Sequence, residues 1–169
     1  MPEESAVSFG VVEQASHCDE MSEKIKSEWF VDNEYDYIPH VINRTKRKDI
    51  VISTKMSGPG VPWIRDGGLQ YSEKNIKRAV EGSLKRLKTD YIDLYQLHWP
   101  ERKTNFFGKL GYEHNDDNEW TRFEDILGSL KKFIEQGKIR HVGLSNETAW
   151  GLSKFLDISK NESLPRVLS

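Results

Sequence analysis

With 169 residues, 36% hydrophobic and 11% aromatic, the chain has the length and apolar content of one soluble folded domain. Its 25 basic and 27 acidic side chains leave a formal net charge of −2, so there is no broad basic surface to neutralise phosphates, which argues against nucleic acid as a partner. The single cysteine, Cys18, can form neither a disulfide framework nor a cysteine-based metal site within the chain, and no metal is expected.

The opening MPEESAVSFGVVEQ is acidic where a secretory signal needs a basic start, and no apolar run approaches membrane-spanning length. A cytoplasmic protein without membrane contact is expected. Residues 1–42 show no regular alternation of apolar units and are expected to form a divergent, partly disordered amino-terminal segment. The basic cluster Arg44, Thr45, Lys46, Arg47 and Lys48 is expected to be a solvated loop face, as short charge runs usually are.

From residue 43 onward short apolar runs alternate with amphipathic ones, the pattern of parallel βα units. Asp49 to Lys55 (DIVISTK) predicts a buried strand, followed by a loop rich in Gly and Pro, SGPGVPWIRDGG. Ser72 is the expected N-cap of a helix whose apolar stripe is Ile76, Val80, Leu84 and Leu87, with Lys77, Glu81, Lys85 and Lys88 on its other face.

Residues 91–100 read YIDLYQLHWP. Tyr91 to Leu97 suits a pleated surface, and Pro100 cannot donate to a ladder, so His98 falls at the carboxyl end of a strand. Thr121 to Glu124 has the spacing of a capping box, ahead of the stripe Phe123, Ile126, Leu127, Leu130, Phe133 and Ile134, with Gly137 as the C-terminal cap. Ile139 to Leu144 predicts a third strand, and Thr148 to Ile158 a helix with Leu152, Phe155 and Leu156 inward. Pro165 to Ser169 predicts the opening of a fourth strand.

Several blocks in this order, STKMSG at 53–58, LKRLKTDYIDLYQLHWP at 84–100, GKIRHVGLSNE at 137–147 and LPR at 164–166, resemble the aldo-keto reductases, specifically their Tas-like branch. The loop ERKTNFFGKLGY at 101–112 resembles it too. The resemblance spans roughly residues 43–167 and implies an α/β chain forming a partial (β/α)8 TIM barrel, strands 3 to 5 with their helices and the start of strand 6. It divides the chain into 1–42 and a partial barrel over 43–169. A closed eight-stranded barrel typically needs about 250 residues, so an incomplete, truncated chain is expected.

The resemblance also implies an NADP(H)-dependent oxidoreductase that reduces aldehydes or ketones to alcohols by hydride transfer. Its catalytic set is Asp, Tyr, Lys and His, of which Lys55 matches the lysine and His98 the histidine. Negative charge grows on the carbonyl oxygen as hydride arrives, so a tyrosine with a lowered pKa acts as acid, a cationic lysine lowers that pKa, and the histidine orients the carbonyl. Ser145 and Asn146 match the pair that binds the nicotinamide carboxamide, and Trp99 would line the substrate mouth. Taken singly, a strand-end lysine is usually a solvated terminus, a histidine beside Trp a packed boundary residue, and Ser-Asn before a helix an N-cap. Taken together, in the family's blocks, they favour ancestry.

The departure is at the amino end. Asp32 and Tyr37, in VDNEYDY, have the five-residue spacing of the family's Asp and Tyr. The interval from Tyr37 to Lys55, with Pro39 and a polar run, is short for the intervening helix and favours coincidence. No G-x-G-x-x-G or Walker loop supplies a phosphate site. The expected function is therefore an aldo-keto reductase acting on a small-molecule carbonyl substrate, catalytically incomplete as this chain. The alternative is a noncatalytic partial barrel that associates with a full-length relative or another partner. An open half barrel should expose an apolar inner face and unpaired edge strands, through which it self-associates.

Overall fold

The computed structural model of the chain describes residues 11–13, 46–57, 70–105, 111 and 119–168. Its core is a four-stranded parallel sheet in the order β1 (Val11–Glu13), β2 (Ile52–Met56), β3 (Ile92–Leu97), β4 (Ile139–Leu144). Three helices intervene or follow: α1 (Glu73–Leu87), α2 (Phe123–Glu135) and α3 (Ala149–Asn161). Val167 continues the parallel order by bridging Val142, with the Leu168 amide donating to the Val142 carbonyl at 2.9 Å. The predicted opening of a further strand is therefore present. No helix among the described residues is long and apolar enough to cross a membrane.

The sheet's two faces follow from the period of two. Thr54, Tyr95 and Val142 lie in one register row, and Met56, Leu97 and Leu144 in another; all six are buried. The other face carries the rows Ser53, Leu94, His141 and Lys55, Gln96, Gly143, in which most positions are polar and half-buried or exposed. This departs from the expected apolar inner face: over the stretches of these rows in β2, β3 and β4, Leu94 is the one large apolar side chain. The edge beside β2 is not open either, because β1 pairs with it from Val11–Ile52 to Glu13–Thr54. That strand lies within the segment 1–42, where no unit was expected.

α1 follows its pattern. Ser72 accepts from the Asn75 amide at 3.4 Å, Ile76, Val80 and Leu87 are buried, and Leu84 packs at the margin of the core. α2 departs from its pattern at the start. Thr121 makes no capping box, because its amide and hydroxyl both donate to Glu101 Oε1, at 2.9 and 3.1 Å, and Arg122 takes the N-cap position. Glu124 and Asp125 occupy the first turn, where negative charge meets the helix dipole. The Arg122 guanidinium, bonded to Asp125 at 2.8 and 2.9 Å, holds that carboxyl below its ordinary value.

The end of α2 fits its sequence. Gly137 at φ 71° donates its amide to the Ile134 carbonyl at 2.9 Å, and Lys138 donates to Phe133 at 2.9 Å, which together form a Schellman closure. Gly137→Ala places a Cβ in the left-handed region, so urea unfolding should show a loss of about 1–2 kcal/mol. An unchanged midpoint would contradict this account of the turn.

α3 starts at Ala149 with Thr148 accepting the Gly151 amide at 3.1 Å. Its buried positions are Gly151, Phe155 and Ser159, spaced by four, and Leu156 is half-buried. Leu152, expected inward, is 40% exposed, because the stripe runs through its neighbours at 151 and 155.

At the amino ends of the strands the basic cluster proves to be partly structural. Arg47 to Asp49 forms a 3-10 turn, so β2 begins at Ile52 rather than Asp49. Lys46 and Lys48 are exposed, but Arg47 reaches under the sheet to Asp93 Oδ2 at 2.7 Å, to the Tyr91 carbonyl at 2.7 Å and to the Ile50 carbonyl at 3.0 Å. Asp93 also accepts from Arg140 at 2.8 Å and from the Ile52 amide at 2.9 Å. A carboxylate in the middle of an apolar run is thereby tied to three strands.

Candidate active site

The opposite, carboxyl ends of the strands gather the residues singled out by sequence. Lys55 is in register with Gln96, and His98, two positions beyond Gln96, shares its face. The His98 amide makes the last rung of the ladder, donating to the Met56 carbonyl at 3.1 Å. Ser145 follows Leu144, and its amide donates to the Leu97 carbonyl at 2.8 Å, which sets it level with His98. Lys55, His98 and Ser145 thus converge across three neighbouring strands. Among the described residues no carboxylate pairs with the half-buried Lys55.

Asn146 stands at φ 56°, a left-handed conformation that Asn tolerates better than most residues. Its Nδ2 donates to the His98 carbonyl at 2.8 Å and to Ser145 Oγ at 3.0 Å. A carbonyl can only accept, so the side-chain amide is oriented with its nitrogen inward. Both Nδ2 hydrogens are then used, which leaves Oδ1 as an acceptor, and Ser145 Oγ, already accepting, keeps its own proton to donate. One donor and one acceptor side by side are what a primary carboxamide requires. Sequence alone left open whether Ser145 and Asn146 are merely an N-cap; the cap of α3 is Thr148.

The Trp99 ring lies beside that of His98, with ring centroids 6.0 Å apart. Its backbone is held by Tyr71, whose hydroxyl donates to the Trp99 carbonyl at 2.5 Å and accepts from the Trp99 amide at 3.3 Å. The Tyr71 amide in turn donates to Glu101 Oε2 at 2.8 Å. Next to this, Arg102 forms a buried two-pronged pair with Glu147, donates to Thr148 Oγ1 at 2.9 Å and lies near the rings of Phe123 and Trp150. A Cβ on Gly151 would meet the ends of the Arg102 and Glu147 side chains, so an alanine there would make the pair shift. The pair ties the loop after β3 to the loop carrying Asn146.

Sequence reasoning missed Tyr71, Glu101, Arg102 and Glu147. Glu101 and Arg102 lie in the ERKTNFFGKLGY block and Glu147 closes GKIRHVGLSNE, so their blocks were noticed, but their partners are 20 to 45 residues away. Asp32 and Tyr37 lie outside the described residues, as do residues 106–110 and 112 of the 101–112 loop.

The model of the aldo/keto reductase family matches residues 17–168, opening within the segment 1–42. Protein tas of Escherichia coli is 43% identical over 127 residues, covering 73% of this chain and 36% of its own length. Aldo-keto reductase yakc, NADP(+), of Schizosaccharomyces pombe is 36% identical over 104 residues, covering 62% of this chain and 26% of its own length. The crystal structure of a thermostable aldo-keto reductase, Tm1743, in complex with the inhibitor epalrestat superposes with a TM-score of 0.53 at 27% identity, covering 73% of this chain and 35% of that one. This chain spans about a third of the length of tas, the first of these relatives. Its architecture is that of part of a (β/α)8 barrel.

Proposed function

The chain belongs to the aldo/keto reductase family of oxidoreductases, and on that premise we propose that it contributes the lysine, histidine and carboxamide-binding part of an NADP(H)-dependent site that reduces an aldehyde or ketone to an alcohol. The observation that carries this is the Ser145 and Asn146 pair. Its free proton and free acceptor complement the carboxamide of a nicotinamide, and it lies level with His98. The name of the yeast relative yakc, which includes NADP(+), supports the choice of cofactor.

When bound, NADPH supplies the hydride. His98 donates a ring N–H to the carbonyl oxygen and so fixes the substrate's approach. Lys55 holds a positive charge near the point where a proton is delivered, which favours the ionised form of a neighbouring phenol and lowers its pKa. The short interval to Lys55 favours coincidence for Asp32 and Tyr37, so the aspartate and tyrosine that complete the set are not assigned to this chain. Trp99, on the rim, closes the small-molecule site from water, and a cytoplasmic setting completes this reading.

The test is carbonyl-dependent oxidation of NADPH by the purified chain across a panel of aldehydes and ketones. Turnover should fall by about 10²–10⁴ in Lys55→Met and in His98→Ala. A folded chain with no carbonyl-dependent rate would mean that this part of the site is catalytically incomplete by itself, and variants as active as the parent would overturn the roles of Lys55 and His98. Size measurement with and without a full-length relative would then test the noncatalytic, associating alternative.

A further inference from the structure

We propose that Tyr71 is a positioning residue for His98, setting the imidazole through the backbone of Trp99. The proposal rests on the reading of His98 as the group that orients the carbonyl, and it adds a residue from outside the sheet.

β3 ends in an unusual way. The His98 amide makes the last ladder bond of β3 among the described residues, to Met56 at 3.1 Å. The next three backbone groups are instead held by side chains. The His98 carbonyl accepts from Asn146 at 2.8 Å, and the amide and carbonyl of Trp99 both engage the single hydroxyl of Tyr71, at 3.3 and 2.5 Å. A phenol can do both because it carries one donor and two acceptor lone pairs. The peptide units on either side of His98 Cα are therefore fixed, and with them the origin of its side chain.

Tyr71 is itself rigid. It is 2% exposed, it immediately precedes the N-cap Ser72 of α1, and its amide is anchored on Glu101, whose other oxygen holds Thr121 ahead of α2. The hydroxyl is thus referenced to two helices rather than to a loop. Replacing it with hydrogen leaves the ring in place but removes the two hydroxyl contacts that hold the half-buried Trp99 backbone beside the histidine. A displacement of the order of 1 Å at a group that orients a substrate is enough to lower turnover about a hundredfold.

The test compares Tyr71→Phe with Ser72→Ala, which loosens the same helix start without touching Trp99, in the full 169-residue chain. In Tyr71→Phe the turnover number should fall about tenfold to a hundredfold, while KM for NADPH stays within about twofold. The imidazole resonances of His98, assigned by their loss in His98→Ala, should shift in Tyr71→Phe and stay in place in Ser72→Ala. Unchanged turnover and resonances in Tyr71→Phe, or an equal loss in Ser72→Ala at equal thermal stability, would overturn the proposal. If the parent chain shows no turnover, this part of the site is catalytically incomplete by itself, and the His98 resonances alone decide: a shift supports positioning by Tyr71 and no shift refutes it.

Discussion

Asp93→Ala should destabilise the fold by about 3–5 kcal/mol, the cost typical of breaking a buried ion pair by removing one partner. The carboxylate is buried and accepts from Arg47, Arg140 and the Ile52 amide at 2.7 to 2.9 Å. Both guanidinium groups also lie over the Tyr91 ring, at 3.7 and 4.1 Å from its centre. Without the carboxylate, two cations are left facing each other across one ring, and an amide loses its acceptor. Urea unfolding should show a lower midpoint at an unchanged slope. Asp93→Asn, which keeps an acceptor but not the charge, should fall between the alanine variant and the parent. A loss below about 1 kcal/mol in Asp93→Ala would mean that the network contributes little beyond its desolvation cost.

Phe123→Ala should cost a similar amount, about 3–5 kcal/mol, for a different reason. This ring is 5% exposed and sits among Phe155, Trp120 and Trp150, with ring centres at 4.3, 5.0 and 6.0 Å. It joins the start of α2 to α3. Its removal opens a cavity between two helices and withdraws the aromatic floor beneath Arg102, whose guanidinium lies 5.4 Å from its centre. The same substitution should therefore loosen the Arg102–Glu147 pair and the loop holding Ser145 and Asn146. Calorimetry reads the stability loss, and amide exchange at residues 145–148 reads the loosening. Stability within about 1 kcal/mol of the parent would contradict the packing argument.

Fold elements with strong local signals were legible in the sequence. β4 spans the predicted Ile139–Leu144, and the glycine closure of α2 and the Ser72 cap of α1 stand where predicted, because apolar period, a capping hydroxyl and a left-handed glycine are all local. Several misreadings share one physical origin, partners distant in sequence. Thr121 had the spacing of a capping box, but Glu101 claims both its amide and its hydroxyl. Arg47 sits between the exposed Lys46 and Lys48, but its partner Asp93 lies 46 residues away. The three-residue β1 has no pattern of its own and exists through its pairing with β2.

For the site, Lys55, His98, Ser145 and Asn146 are proposed on family-like blocks. Periodicity would have left each as a strand end or a cap. The side chains that hold them, Tyr71 and the Arg102–Glu147 pair, carry no local signal. Their roles arise only when the loops after β3 and β4 are brought side by side.

The most direct test of the central reading is a fluorescence titration of NADPH into the full chain and into Ser145→Ala, which removes the free donor and one acceptor of the Asn146 amide while keeping its bond to the His98 carbonyl. The expected result is saturable binding by the parent, weakened about fivefold to tenfold in the variant, the loss that one hydrogen bond typically brings. A folded parent with no saturable signal, or a Ser145→Ala variant that binds equally well, would contradict the assignment of this pair to the nicotinamide.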